Sequence, residues 1–376
     1  MTGDRLSDLL RESVLGAGPY VPGASARETR RRLGREDLVR LNWNENLFGP
    51  LPGVLEETAA SLQEVWMYPE EGYERLREAI AVWAGADPRQ VVLGHGIQAL
   101  TLTLVAALVE VGERVVIPRP TYGLYAQACL VAGAEVHRVD VAGGSLALDL
   151  EAIATAARRV SAKLVWICDP NNPTGLRLAS EHWRTFLDAL PAGCLAVADE
   201  AYVDYVEPAD RIDRLADIRD GRPVVVLRTF SKIFGLAGLR LGYMLVHESL
   251  APHIDAVQEP FNVNQAALAA GLASLRRAAL VPTRREQAKR ARLRLTAPLP
   301  AAGVEPVASD ANFVLLRLSG DDLVLADRLA HEGLLVRAGS EFGLPGFIRV
   351  TVGAEELMDT VAAALAGAAA ELQGRR

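Results

Sequence analysis

The chain reads as an α/β protein: a mainly parallel central sheet covered by helices, followed by a smaller α+β unit. Three observations lead there. Between about residues 90 and 245, short β-rich runs alternate with helical patterns. The runs are apolar at successive positions, as expected of strands buried on both faces. Each notable polar residue comes just after a run, where open α/β sheets place their ligand crevice.

In order, Val91-Val-Leu93 is the first strand; it ends in Gly94-His-Gly96, and a helix is expected from Gln98 to Val109. Arg114-Val-Val-Ile117 is a strand, and Tyr122 to Val131 reads helical. Leu164-Val-Trp-Ile-Cys168 ends at Asp169-Pro-Asn-Asn-Pro-Thr-Gly175, and Leu195-Ala-Val-Ala198 ends at Asp199-Glu-Ala-Tyr202. Val224-Val-Val-Leu227 ends shortly before Ser231-Lys232. Gly94 to Gly96, Asn172, Asp199 and Lys232 are therefore expected to converge on one site. From about residue 281 the pattern changes to an Arg-rich helix, then Asn312-Phe-Val-Leu-Leu316 as a strand. A helix from about Asp322 to Glu332, strands near Leu335 and Ile348, and a terminal helix from about Glu355 complete a second, smaller α+β domain. The Ala-rich stretch Ala362 to Ala370 favours helix.

With 376 residues, half of them apolar, the chain can bury a sizeable core. A net charge of −7 argues against nucleic acid as the main partner. Cys129, Cys168 and Cys194 are widely spaced and odd in number, with no metal-ligand spacing, so no metal site is expected. Reduced thiols in a cytoplasmic protein are the simplest account. The N-terminus has no apolar leader, and the most apolar stretch, Leu100 to Val109, is too short to span a membrane.

Only three lysines, Lys163, Lys232 and Lys289, stand among 40 basic residues. Arginine stays protonated and cannot condense with a carbonyl; a buried lysine can lose its proton and attack one. Lys163 opens an apolar run and reads as a strand-edge charge, and Lys289 lies in the Arg-rich helical stretch and reads as solvated. Lys232 follows a strand and precedes small residues, with Arg240 eight positions on. That is the setting of a lysine held at a strand end with a phosphate nearby.

Pro170-Asn-Asn-Pro-Thr-Gly175, Asp199-Glu-Ala-Tyr202 and Ser231-Lys-Ile-Phe-Gly-Leu-Ala-Gly-Leu-Arg240, in this order and spacing, resemble the fold-type I pyridoxal-phosphate enzymes of aminotransferase class I/II. More narrowly, the chain is similar to their histidinol-phosphate aminotransferase branch. That likeness rests on Pro19-Tyr-Val-Pro-Gly23, Leu41-Asn-Trp-Asn-Glu-Asn46, Tyr68-Pro69 with Leu76-Arg77, Pro120-Thr-Tyr-Gly123, Pro260-Phe-Asn-Val-Asn264 and Phe347-Ile-Arg-Val-Thr351. It covers nearly the whole chain. It implies a large cofactor-binding domain over 46–280 and a small domain made of 281–376 with the N-terminal arm 1–45.

The resemblance also assigns roles. Lys232 would carry pyridoxal 5'-phosphate and later move the α-proton, and Asp199 would keep the ring nitrogen protonated so that the ring acts as an electron sink. Asn172 and Tyr202 would hydrogen-bond the phenolic oxygen, and Tyr122 would stack on the ring. Ser231, Arg240 and the backbone N–H groups of Gly96, Ile97 and Gln98 would hold the phosphate at a helix start. Tyr68 would reach that phosphate from a second subunit, making the site shared within a homodimer. Arg349 and Arg337 would grip the substrate's anionic group, with Tyr20 and Asn172 beside it. The implied partners are an amino donor, histidinol phosphate first and an aromatic amino acid second, and a 2-oxo acid acceptor such as 2-oxoglutarate.

Two segments depart from the pattern. The phosphate loop usually reads Gly-x-Gly-(Ser/Ala)-Asp-Glu; here it is Gly94-His-Gly-Ile-Gln-Ala99, which keeps the backbone donors and loses the acidic pair. Leu47 stands where the family has Pro after Asn-Glu-Asn. A decarboxylase or an enzyme of specialised metabolism on the same scaffold is the alternative, since the α-bond that breaks depends on how the substrate is held. A non-catalytic ligand-sensing domain is a third reading; it would need an upstream DNA-binding domain, and only about 40 residues precede Asn42.

Overall fold

The structure is a computed structural model that describes residues 7–18, Gly23 and 25–373. Its strands, in chain order, are β1 (Val39–Arg40), β2 (Val91–Gly94), β3 (Arg114–Arg119), β4 (Glu135–Asp140), β5 (Leu164–Cys168), β6 (Leu195–Asp199) and β7 (Val224–Thr229). They continue with β8 (Gly242–Leu245), β9 (Glu305–Pro306), β10 (Phe313–Arg317), β11 (Leu334–Leu335), β12 (Arg337–Ala338) and β13 (Phe347–Thr351). Seven form one sheet in the order β2-β8-β7-β6-β5-β3-β4. All its neighbours from β7 to β4 run parallel; β8 alone runs against both of its neighbours.

Alternation along each central strand explains why these runs look apolar throughout. Val165, Ile167, Ala196, Ala198, Val224 and Val226 belong to one core; Leu164, Trp166, Cys168, Val197, Val225 and Leu227 belong to the core on the opposite face. Parallel register then sets the strand ends side by side, with Cys168 opposite Asp199 and Asp199 opposite Leu227. The next residues along the chain supply the polar groups.

Two strands of this sheet were not legible beforehand. The edge strand β4, Glu-Val-His-Arg-Val-Asp, has no fully buried residue and so carries no apolar signature. The other, β8, is a short run that begins with glycine. The first helix starts at Gly96, two residues before the expected Gln98, and the second at Leu124, so Tyr122 lies in the turn ahead of it.

The second sheet is antiparallel, β12-β13-β10-β9, and packs through a third core that includes Val314, Leu316, Ile348, Val350, Leu325 and Leu365. Leu41 joins that core, and β1 pairs in parallel with β11, which ties the segment before residue 46 to this unit. The helix Val281–Thr296 links the two units: Val281 and Ala288 pack with the large sheet, Ala291 and Leu295 with the small one. On that packing we propose residues 46–280 as the large domain, and 281–376 with the N-terminal arm 1–45 as the small one. Among the described residues, no helix is long and apolar enough to cross a membrane.

Below the site, the strand ends are laced by buried charge. Arg214 donates to Asp169 at 2.6 Å and to Glu200 at 2.7 Å; Arg228 donates to the other Glu200 oxygen at 2.8 Å. Burial alone would raise the Glu200 carboxyl, but Arg228 and Arg214 hold it below the usual range. Removing one partner of such a network strands the others without water. Arg214→Ala should therefore cost about 3–5 kcal/mol of stability, read as a lower urea midpoint, and adding Glu200→Gln to that variant should recover part of the loss. A midpoint near wild type for Arg214→Ala would show that the network contributes little.

Candidate active site

A cavity of about 480 Å³ opens where β5, β6 and β7 end. Asn172, Asp199, Tyr202, Ser231, Lys232, Ile97, Gln98, Tyr122, Arg240, Arg337 and Arg349 all line it. The structure thus brings together every expected site residue it describes except Gly96, which abuts the cavity behind Arg240, and Tyr68. Tyr68 is 80% exposed, stacks on Phe261 at 4.8 Å and lies on a different surface. Tyr20 lies outside the described residues.

The Lys232 ammonium donates to the backbone carbonyl of Asn44 at 2.8 Å and stands 5.4 Å from the centre of the Tyr202 ring. Burial, then the neighbouring Arg349, lowers its pKa to about 8. The other two lysines have surface roles: Lys163 lies 3.9 Å from Glu113, and the Lys289 side chain is half exposed.

Asp199 is almost fully buried at the cavity floor. One of its oxygens accepts from the Ala201 backbone at 3.0 Å; the other accepts from the Tyr125 hydroxyl. Tyr125 is itself fixed by stacking on Trp166 at 4.7 Å. Burial raises the Asp199 carboxyl to about 6, against the pull of these two donors. The Tyr202 hydroxyl accepts from the Asn44 amide at 3.1 Å, and burial pushes its pKa well up, so it stays a neutral donor.

The anion end of the cavity is built on a helix start. Gly96 has φ of 77°, and a Cβ there would lie 2.8 Å from the Arg240 guanidinium, so only glycine lets arginine close over the helix N-terminus. Gln98, where the family pattern has an acidic residue, bridges two groups: its amide donates to the Tyr122 hydroxyl at 3.0 Å and its oxygen accepts from Arg240 at 3.1 Å. Ile97 turns inward and packs with Val92 and Leu100, which accounts for its size.

On the opposite wall, Arg337 and Arg349 are direct partners across the antiparallel β12–β13 pair, so both side chains leave the sheet on one face. Arg349 is buried and donates to the Asn172 side chain at 2.5 Å and to the Asn42 carbonyl at 2.7 Å.

These groups fit pyridoxal phosphate. Ser231, Arg240 and the N–H groups at the helix start suit its phosphate; Asp199 suits its ring nitrogen; Asn172 and Tyr202 suit its phenolic oxygen; Lys232 suits its carbonyl. The glycine cradle under Arg240 leaves room that any side chain would fill.

Sequence reasoning missed Tyr125 and Asn44. Tyr125 sits three residues after Tyr122, one helical turn on, and that spacing was its only signal. Asn44 lay inside the Leu41 to Asn46 segment, but nothing marked its carbonyl as the lysine's partner.

A family model described as aminotransferase class I and II matches residues 36–365. A histidinol-phosphate aminotransferase from Symbiobacterium thermophilum is 39% identical over 92% of this chain and 95% of its own. Another, from Halalkalibacterium halodurans, is 36% identical over 96% of this chain and 97% of its own. Among solved structures, the histidinol-phosphate aminotransferase from Sinorhizobium meliloti in complex with pyridoxal-5'-phosphate superimposes with a TM-score of 0.89 at 29% identity, covering 96% of this chain and 98% of that one.

The raised Asp199 pKa has a consequence for stability. Its ionised form is disfavoured in the fold, so the cofactor-free protein should lose stability as pH rises from the ordinary carboxylate value, 3.8, towards about 6. Asp199→Asn removes that cost. At about pH 8 the cofactor-free variant should melt above wild type, with the gap closing below about pH 4, while its turnover falls steeply because an amide cannot hold a ring proton. Equal melting curves across this range would remove burial as the cause of the shift.

Proposed function

The chain belongs to the class I and II aminotransferases, and on that footing we propose that it moves the amino group of histidinol phosphate to a 2-oxo acid such as 2-oxoglutarate. Pyridoxal phosphate is its cofactor. Bound there, it supplies a carbonyl that exchanges with the substrate amine and a ring that takes up electron density from the α-carbon.

The chain's own residues do the rest. Lys232, with its pKa near 8, gives up its proton readily around neutral pH, as a covalent carrier and mobile base must. Asp199 holds a proton at the ring nitrogen, while Tyr125 and the Ala201 N–H keep the carboxylate aimed and ionised. Asn172 and Tyr202 direct hydrogen bonds at the phenolic oxygen. Gln98 ties the stacking Tyr122 to the phosphate-holding Arg240, so ring and phosphate are held by one connected unit.

The observation that supports the substrate is the paired Arg337 and Arg349 on the same cavity as Lys232. Two guanidiniums suit a phosphate ester well and also accept a carboxylate, which a donor–acceptor cycle requires of one site. The curated relatives bear histidinol phosphate in their names, which favours that donor. In stopped-flow mixing, the cofactor-loaded enzyme should convert spectrally with histidinol phosphate, and 2-oxoglutarate should reverse the change. Arg349→Ala should lose roughly 2–5 kcal/mol in kcat/KM for histidinol phosphate and far less for histidinol. Equal losses for both donors would mean that Arg349 supports the fold instead.

We also propose a homodimer with shared sites, in the cytoplasm. Val65, Trp66, Met67 and Tyr68 form an exposed apolar patch, with Trp66 and Tyr68 each 80% exposed, and such a patch marks an interaction surface. Tyr68 would then serve the partner's phosphate. Tyr68→Phe and Lys232→Ala should each be poor alone. Their mixed dimer should regain activity on the order of half a wild-type dimer, because one of its two sites is intact. No recovery in verified heterodimers would put Tyr68 outside the shared site.

A further inference from the structure

We propose that Glu341 is a specificity determinant at the anion end of the site, an internal counter-charge that weakens anion binding in proportion to the anion's charge. The inference rests on the reading that one guanidinium pair serves both a phosphate ester and carboxylates.

A second cavity of about 250 Å³ shares Tyr122, Asn172, Arg337 and Arg349 with the cofactor cavity. Its walls also carry Arg119 and Arg138, and Glu341 is the one carboxylate among its described lining residues. Arg119 is engaged by Asp140 at 2.6 Å, outside the site. Arg138, Arg337 and Arg349 still leave the chamber cationic, and a carboxylate inside it works against anion binding.

Glu341 lies in the turn that follows β12, with its oxygen 3.4 Å from the Arg337 Nε. Burial raises the Glu341 carboxyl above its usual value against the pull of Arg337 and Arg349, so its charge bears on both guanidiniums. The pair is long and Glu341 is a third exposed, so it contributes little to the fold. The backbone at Gly23 closes over it: a Cβ there would lie 2.9 Å from the Glu341 oxygen and 3.2 Å from the Arg337 Nε. The carboxylate therefore sits between the guanidinium and this backbone, with limited room above it.

A cycle that alternates a dianionic phosphate ester with monoanionic carboxylates needs a site that releases the first and still grips the second. Two bare guanidiniums favour the dianion heavily. A fixed negative charge nearby penalises a dianion twice as much, in free energy, as a monoanion. It narrows the gap between the two.

The test is calorimetric titration of cofactor-loaded wild type and Glu341→Gln with phenyl phosphate, phenylacetate and benzyl alcohol, near pH 8 where phosphate is doubly charged. Phenylacetate should bind about threefold tighter to the variant and phenyl phosphate about tenfold tighter, the square of the first factor, with benzyl alcohol unchanged. Glu341→Ser should give the same ratio and serves if the Gln variant does not fold. Equal gains for both anions, or none, would overturn the role of Glu341. Because the probes are not substrates, a wild type that ignores histidinol phosphate would overturn the substrate reading alone.

Discussion

The site depends on one residue of the N-terminal arm, Asn44. Its carbonyl accepts from Lys232 at 2.8 Å and from Asn312 at 3.0 Å, its N–H donates to Thr351 at 3.0 Å, and its side chain donates to Tyr202 at 3.1 Å. Lys232 and Tyr202 hang from the large sheet; Asn312 and Thr351 belong to the small unit. One residue thus joins both units at the Lys232 nitrogen. It does so with φ of 55°, a left-handed conformation that asparagine tolerates better than most residues. Asn46, just beyond it, donates to the Lys232 carbonyl at 2.8 Å and so fixes the lysine's backbone. The Lys232 hydrogen-bond partner is therefore itself anchored to both units.

Charge is buried at two levels, and the difference separates structure from chemistry. Beneath the strand ends, Arg214, Glu200, Arg228 and Asp169 compensate one another almost completely. One layer up, Asp199 and Lys232 face open cavity, and each is pushed towards its neutral form by burial. Groups left undercompensated in this way are poised for a ligand, here a ring N–H that would neutralise the carboxylate and a carbonyl with which the neutral amine would react.

The central strands were legible because burial on both faces leaves an unbroken apolar run, as in Leu164 to Cys168. The edge strand Glu135–Asp140 was not, because half-exposed alternation of Glu, His, Arg and Asp carries no such mark. Lys232, Asp199 and Asn172 were legible from motif spacing and from their places at strand ends. Tyr125 and Glu341 were not, because their roles come from what tertiary packing sets against them: Trp166 and Asp199 for one, Arg337 and the Gly23 backbone for the other. Gln98 shows the opposite limit. Its replacement of an acidic residue was visible, yet the consequence, a bridge between Tyr122 and Arg240, appears only once the turn and the helix start are set face to face.

The position of Arg337 directly across from Arg349 is costly on its own, since like charges opposite each other on neighbouring strands repel. The structure offsets this in several ways. Arg349 is satisfied by Asn172 and the Asn42 carbonyl, Arg337 lies beside Glu341, and the Phe342 ring stands 5.8 Å from the carbon of each guanidinium. None of these partners but Glu341 carries a full negative charge, so the pair remains an anion site. The donors to Asn172 and Asn42 fix Arg349 in place, whereas Arg337 is held chiefly by a long ion pair from which a bound anion can draw it. On the proposed reading, the firmly held arginine would set the position of the substrate's anionic group, and the other would adjust to a phosphate or a carboxylate.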